Sequence, residues 1–177
     1  RGCVWRTCLM LSLTVVTLTR SLESKTLGRC RESVQAALVP GVKHEVIVCP
    51  REQFHTRMRY ETMTMDDYTT IVDDDDTIDE HALSRCVEII NDNKLDMLFT
   101  DEVIRIESDG STFDSVRGKR SFDSVNASPV SIHNLCVLKS KAIDPSALKI
   151  ALQYGIGIEW LVRSSVALNG KVGHLAE

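Results

Sequence analysis

The chain has 177 residues, 43% of them hydrophobic and 26% charged, the proportions of an ordinary globular protein long enough to bury one real core. With 21 Lys and Arg against 25 Asp and Glu, its net charge of −4 gives no support to a nucleic-acid or membrane partner. The six cysteines show no Cys-x-x-Cys spacing, which argues against a structural zinc site and favours reduced thiols in a cytoplasmic setting.

The first apolar stretch, CLMLSLTVVTL, follows Arg1 and Arg6 as the core of a signal peptide would, but no small-residue cleavage site comes after it. It is too short and too rich in Thr and Ser to span a bilayer. The sequence predicts a buried strand over Leu11 to Leu18, and the lack of an initiator Met fits a fragment or a processed product. A helix is expected from about Leu22 to Leu38, stopped by Pro40-Gly41. HEVIVC, His44 to Cys49, reads as a second short buried strand, and Arg51 to Met65 has no clear period.

YTTIV, Tyr68 to Val72, reads as a third strand, and a helix with Ala82, Leu83, Cys86, Val87 and Ile90 on one face follows it. LDMLFTDEVIRIES predicts a fourth strand bending into a fifth, closed by Asp109-Gly110. Residues 108–129 are rich in Ser, Asp, Gly and basic residues, and FDSV occurs there twice, nine residues apart, around RGKR. That stretch reads as a flexible loop or hairpin able to fold over a site. VSIHNLCVLKSKAI reads as another strand. DPSALKIALQYG has Asp144 as N-cap and Pro145 at the first position of a helix. GIEWLVRSSVALNG reads as a last helix, ended by Asn169-Gly170. Strands alternating with helices in this way imply a single α/β domain over residues 1–177 with a mainly parallel sheet.

Between the third strand and its helix stand four consecutive aspartates, Asp73 to Asp76. Adjacent carboxylates repel, so the run needs an explanation. It can be a solvated acidic turn, or Asp76 or Thr77 can cap the helix beginning near Asp79. It can also be an Asp-x-Asp that shares a divalent cation, because hard cations take oxygen ligands, often one or two carboxylates plus substrate phosphates. Two facts favour a site. Ligands of parallel sheets sit beyond the carboxyl ends of strands. The stretch from Asp66 to Asp109 also holds 15 of the 25 acidic residues and only Arg85, Lys94 and Arg105 as bases.

Taken in order, LTVVTLTRSLES, HEVIVC, YTTIVDDDDTIDEHAL and GIEWLVRSSVALNGKVGHL resemble the family-two nucleotide-sugar glycosyltransferases, whose domain has the GT-A fold. The resemblance implies a Rossmann-like α/β sheet flanked by helices, with a nucleotide-diphosphate sugar as donor, a hydroxyl-bearing acceptor and Mn²⁺ or Mg²⁺ as cofactor. It puts Thr19 and Arg20 at the turn facing the nucleotide, with Asp73 and Asp74 beside the nucleotide sugar. Asp73 and Asp75 would hold the metal, Asp75 as the principal ligand. Glu159 falls where the family keeps its general base, and inversion at the anomeric carbon follows from direct attack by the acceptor. After the second strand the family has an acidic, Ser-rich turn; this chain has CPREQF, leaving Glu52 a distant substitute for contacts to the base.

Residue by residue, plain structural roles stand beside these. Glu159 can pair with Arg163 at i+4, and Arg20 can be a solvated surface charge. Asp101 and Glu102 can face the same crevice or form a surface pair. His133 reads as a hydrogen-bonded core histidine and Trp160 as core or an acceptor-stacking ring. His174 reads as a structural or metal-binding histidine. Arg117, Lys119 and Arg120 read as a charged loop tip or a clamp on a diphosphate. Two rival functions stay open. One is a metal-dependent nucleotidyltransferase or phosphotransferase, although no Gly-rich loop with Lys-Ser/Thr is present. The other is a non-catalytic domain that binds only nucleotide or a partner. An EF-hand calcium loop lacks its spacing and its Gly.

Overall fold

The computed structural model describes residues 11–49, 66–108, 111–117, 135–154 and 158–176. Strand β1, Leu13–Thr19, is buried at all seven positions. That pattern belongs to a central strand covered on both faces. Its odd and even residues part accordingly. Leu13 and Val15 join a core with Cys30, Val34, Val72, Leu83, Cys86 and Ile90, whereas Val16 and Leu18 join a second with Ile71, Met97, Phe99, Val162 and Val166.

Helix α1, Lys25–Ala37, turns Leu27, Cys30, Val34 and Ala37 inward at intervals of three and four residues. It ends before Gly41, whose φ of 88° leads the chain back into β2, Val42–Val48. β2 pairs in parallel with β1 and stands at the edge of the described sheet. Its middle is therefore half-covered and Val48 is exposed, so this strand is less buried than its apolar run suggests.

β3, Tyr68–Asp73, pairs with β1 on the opposite side, up to Leu18↔Asp73. Helix α2, Ala82–Asn93, buries Leu83, Cys86 and Ile90. It begins three residues after Asp79, whose carboxylate accepts the His81 N–H at 2.8 Å. That bond comes from Asp79 rather than from Asp76 or Thr77. β4, Met97–Thr100, follows, and then β5, Glu102–Ser108, pairs antiparallel with β6, Ser111–Arg117, as a separate two-stranded sheet. The FDSV copy at Phe113 lies in β6; the copy at Phe122 lies outside the described residues.

β7, Cys136–Lys139, runs against its neighbours between β3 and β4. A short 3₁₀ turn leads to α3, Pro145–Tyr154, whose start is tied by the Ser146 N–H donating to Asp144 Oδ1 at 2.8 Å. Helix α4, Ile158–Asn169, and β8, Val172–Leu175, complete the chain, with β8 parallel to β4. The sheet order is β2-β1-β3-β7-β4-β8, five strands one way and β7 the other, flanked by α1 and α2 on one face and α4 on the other. This is a mixed α/β single domain of the GT-A-like, Rossmann type. No helix among the described residues is long and apolar enough to cross a membrane.

Two details of this frame shape its carboxyl edge. First, β3 and β7 pair only at Tyr68↔Lys139 and Thr69↔Leu138, while β4 and β7 stay paired as far as Phe99↔Cys136. β3 and β7 therefore part toward the carboxyl ends of the parallel strands. Second, the C-terminal end of α4 is held beside the start of β4: Asp96 N–H donates to Lys171 O at 2.8 Å, and Lys171 N–H returns a bond to Asp96 Oδ2 at 3.0 Å. α4 thus runs antiparallel to β4, and its first turn lies at the carboxyl edge.

Candidate active site

The carboxyl ends of β1 and β3 lie side by side because the two strands are paired as far as Leu18↔Asp73. Thr19 closes β1 fully buried, and its hydroxyl donates to Asp74 Oδ2 across 2.6 Å. Thr19 Oγ1 also accepts the Ser21 N–H at 3.2 Å and lies 2.8 Å from Ser21 O, which folds the turn after β1 against the aspartates. Arg20 follows, exposed.

The four aspartates form a tight turn closed by Asp76 N–H donating to Asp73 O at 3.0 Å. Asp73, Asp74 and Asp76 are half-buried; Asp75 is exposed at the outer corner. Below the turn, Cys30 Sγ lies 3.5 Å from Asp73 O and 3.6 Å from Thr17 Oγ1. Burial pushes the Cys30 thiol above its ordinary value, and the charges of Asp76, Asp74 and Asp73 push it further, against the Thr17 hydrogen bond. The thiol thus reports a concentrated negative field at the end of β3. Nothing in the chain pattern marked Cys30 for this place except its position on the inner stripe of α1.

Thr19, Arg20 and Asp73 to Asp76 are therefore brought together, as the sequence leads one to expect of a donor site. Glu159 falls in the first turn of α4, the turn that lies toward the carboxyl edge. Trp160 follows it in that helix. His133, Lys119, Arg120 and the segment Pro50 to Phe54 lie outside the described residues, and Arg117 ends β6.

Beyond β7 stands a pair that the sequence reading did not join. His174 on β8 donates from Nε2 to Asp101 Oδ1 at 2.7 Å, and its ring stacks on Phe99 with centroids 4.7 Å apart. Phe99↔His174 is a register pair, so both rings lie on the face that α4 covers. The pair joins residues 73 apart in sequence, and only the β4–β8 register reveals it.

Among the described residues no group of three or more His, Cys, Asp and Glu converges to cage a metal. The oxygen donors at the turn are the carboxylates of Asp73 to Asp76, of which Asp74 Oδ2 is already engaged by Thr19. Such hard donors fit Mg²⁺ or Mn²⁺, which take one or two carboxylates and complete their shell with water and phosphate. A groove of about 780 Å³ lies elsewhere, between α1 and the open edge of β2, lined by Arg31, Gln35, His44 and Val46 among others. Burial, with the Arg31 charge, lowers the proton affinity of His44 there; its Nε2 lies 2.9 Å from Thr17 Oγ1.

No family model and no curated protein matches the chain. Solved structures do. S. aureus TarS 1–349 in complex with UDP superposes with a TM-score of 0.59 at 10% identity, over 93% of this chain and 58% of that one. The same protein in complex with UDP-GlcNAc gives 0.56 at 10% identity, over 94% and 59%. Longer S. aureus TarS gives 0.59 at 12% identity, over 94% and 35%. At this identity the likeness is one of fold. The chain spans less than three fifths of the length of these structures.

Proposed function

We propose that this chain is the donor-binding domain of a metal-dependent glycosyltransferase that moves a sugar from a nucleotide-diphosphate sugar to an acceptor hydroxyl with inversion. The observation that carries the reading is the four-aspartate turn, tied to Thr19 at the carboxyl edge of a sheet shared with a protein solved with UDP and UDP-GlcNAc. A solvated turn needs no buried threonine to orient one of its carboxylates.

In this reading Thr19 and Arg20 meet the nucleotide, Thr19 fixes Asp74, and Asp73 with Asp75 would hold Mn²⁺ or Mg²⁺. Such a cation supplies charge for the departing diphosphate, which otherwise leaves poorly. The turn also keeps the nucleotide's phosphates from binding as bare anions, since the local field is negative until a cation is present. The acceptor oxygen attacks the anomeric carbon from the side opposite the leaving group, and its proton must pass to a base at this edge. The resemblance assigns that proton to Glu159.

The test is thermal unfolding of the chain with UDP, UDP-GlcNAc and other nucleotide diphosphates, with Mn²⁺ or with EDTA. At a ligand concentration of about 100 Kd, binding stabilises by roughly 2.7 kcal/mol. A rise with one nucleotide that EDTA abolishes, and that Asp75→Ala abolishes too, is the expected result. No response from a folded chain would refute the reading and leave a domain without donor-binding activity.

A further inference from the structure

The inference concerns the proton that leaves the acceptor, and it rests on the glycosyltransferase reading above. The His174–Asp101 pair has the geometry of a held base. A carboxylate can only accept, so the 2.7 Å contact requires the proton on His174 Nε2, which leaves the lone pair of the neutral ring on Nδ1. The ring cannot swing freely, because one face is stacked on Phe99 at an interplanar angle of 14°. It is also reachable: the His174 side chain keeps 24% of its surface and Asp101 12%.

Its place matches the acceptor side of the site. Asp73 and Ile71 alternate onto the sheet face covered by α4, and Phe99 and His174 lie on that same face. From the end of β3 to β8, which carries His174, is three strand spacings, roughly 14 Å at about 4.8 Å each, a span that a diphosphate, one sugar ring and the acceptor hydroxyl cover together. The intervening β7 is unpaired from β3 beyond Thr69↔Leu138, so no ladder joins the two strands toward this edge.

We propose that His174, oriented by Asp101, is the group that takes the acceptor's proton, in place of the Glu159 that the resemblance assigns. Nδ1 receives the hydroxyl proton as the bond from the acceptor oxygen to the anomeric carbon forms. The bond from that carbon to the phosphate oxygen breaks, its electron pair leaving with the nucleoside diphosphate. The imidazolium then returns the proton to water. Asp101 is a positioning residue.

The assay is release of UDP from UDP-GlcNAc and a panel of UDP-sugars with water as acceptor, alongside the UDP and Mn²⁺ stabilisation of each variant. His174→Gln keeps a donor for Asp101 and loses the base; its UDP release should fall roughly 100-fold or more with nucleotide stabilisation unchanged. Asp101→Asn should fall less, and Glu159→Gln less than His174→Gln. Added imidazole should restore part of the activity of His174→Ala, an effect that a structural histidine would not give. Normal release by His174→Gln overturns the proposal, as does a folded His174→Ala chain that imidazole does not revive. A wild-type chain that neither binds nor releases UDP overturns the glycosyltransferase reading itself, a result distinct from an active wild type with an equally active His174→Gln.

Discussion

Replacing Thr19 by Val exchanges a hydroxyl for a methyl at a position with no solvent exposure, so the packing at the end of β1 stays nearly filled. What is lost is the 2.6 Å bond to Asp74 and the acceptor for the Ser21 N–H. A hydrogen bond to a charged group contributes about 1.5–3 kcal/mol. Asp74 is half-buried and regains water, which brings the expected cost to roughly 1–2 kcal/mol, or a fall in melting temperature of roughly 3–6 °C for a chain of this length. Urea and thermal unfolding measure it. Thr14→Val is the matched control, since Thr14 is equally buried and donates to Asp66 Oδ2 at 2.8 Å at the opposite edge of the sheet. Both variants should lose stability, but only Thr19→Val should lose the UDP and Mn²⁺ response. Equal responses in the two would mean that the orientation of Asp74 is irrelevant to the nucleotide, and the reasoning from the Thr19 bond would fall.

Two glycines should move stability in opposite directions. A Cβ on Gly170 would lie 2.8 Å from Val166 O and 2.9 Å from Asp96 Cβ, so Gly170→Ala should cost roughly 1–3 kcal/mol in urea unfolding, whereas Gly28→Ala, on open α1 surface, should gain about 0.5–1 kcal/mol. The Asp96 carboxyl is held below its ordinary value by the Lys171 N–H first and by Lys139 at 2.9 Å second, against its partial burial. A depressed carboxyl contributes stability above its unfolded value, about 3.9, and loses it as the pH falls through the folded one. The gap between wild type and Asp96→Asn in urea midpoint should therefore be full at pH 7 and shrink below about pH 4; a gap unchanged at pH 3 would refute the assignment. Burial, helped by neighbouring Cys136, pushes the Cys86 thiol up to about 12, so mass spectrometry should find it unlabelled by a thiol reagent at pH 8 until urea unfolds the chain.

Much of the element order was legible in the sequence because the central strands and the helices have strong periods. LSLTVVTL and YTTIV are buried on both faces, and the stripes of α1 and α2 fall at three- and four-residue intervals. What escaped depends on partners far along the chain. The reversal of β7 between β3 and β4 is set by pairings such as Thr69↔Leu138, and no local residue encodes direction. KVGHL is too short and too mixed to read as a strand, yet β8 closes the sheet against β4 there. Gly170 follows the last helix as foreseen, but its φ is not positive; the glycine is required by the close approach of Val166 O and Asp96. The aspartates and Thr19 were legible as one site because both stand at strand ends. His174 and Asp101 were each visible, and only the β4–β8 register makes them a pair.

The four aspartates can now be weighed as a physical arrangement. Two unit charges about 6 Å apart repel by roughly 0.7 kcal/mol in water and by more where solvent is partly excluded. The turn relieves part of this by spreading its carboxylates. Asp74 is drawn aside by Thr19, Asp75 is left in solvent, and the chain is fixed by Asp76 N–H on Asp73 O. The relief is incomplete, since the same charges raise the Cys30 thiol beneath them. Removing one charge should therefore help the unliganded fold: Asp75→Ala should gain on the order of 0.5 kcal/mol without metal, measured as a higher urea midpoint in EDTA. If a cation belongs there, the same variant should lose the stabilisation that Mn²⁺ and UDP give the wild type. A solvated acidic turn could produce the first change but not the second. The two signs in one variant separate a binding turn from a merely tolerated one.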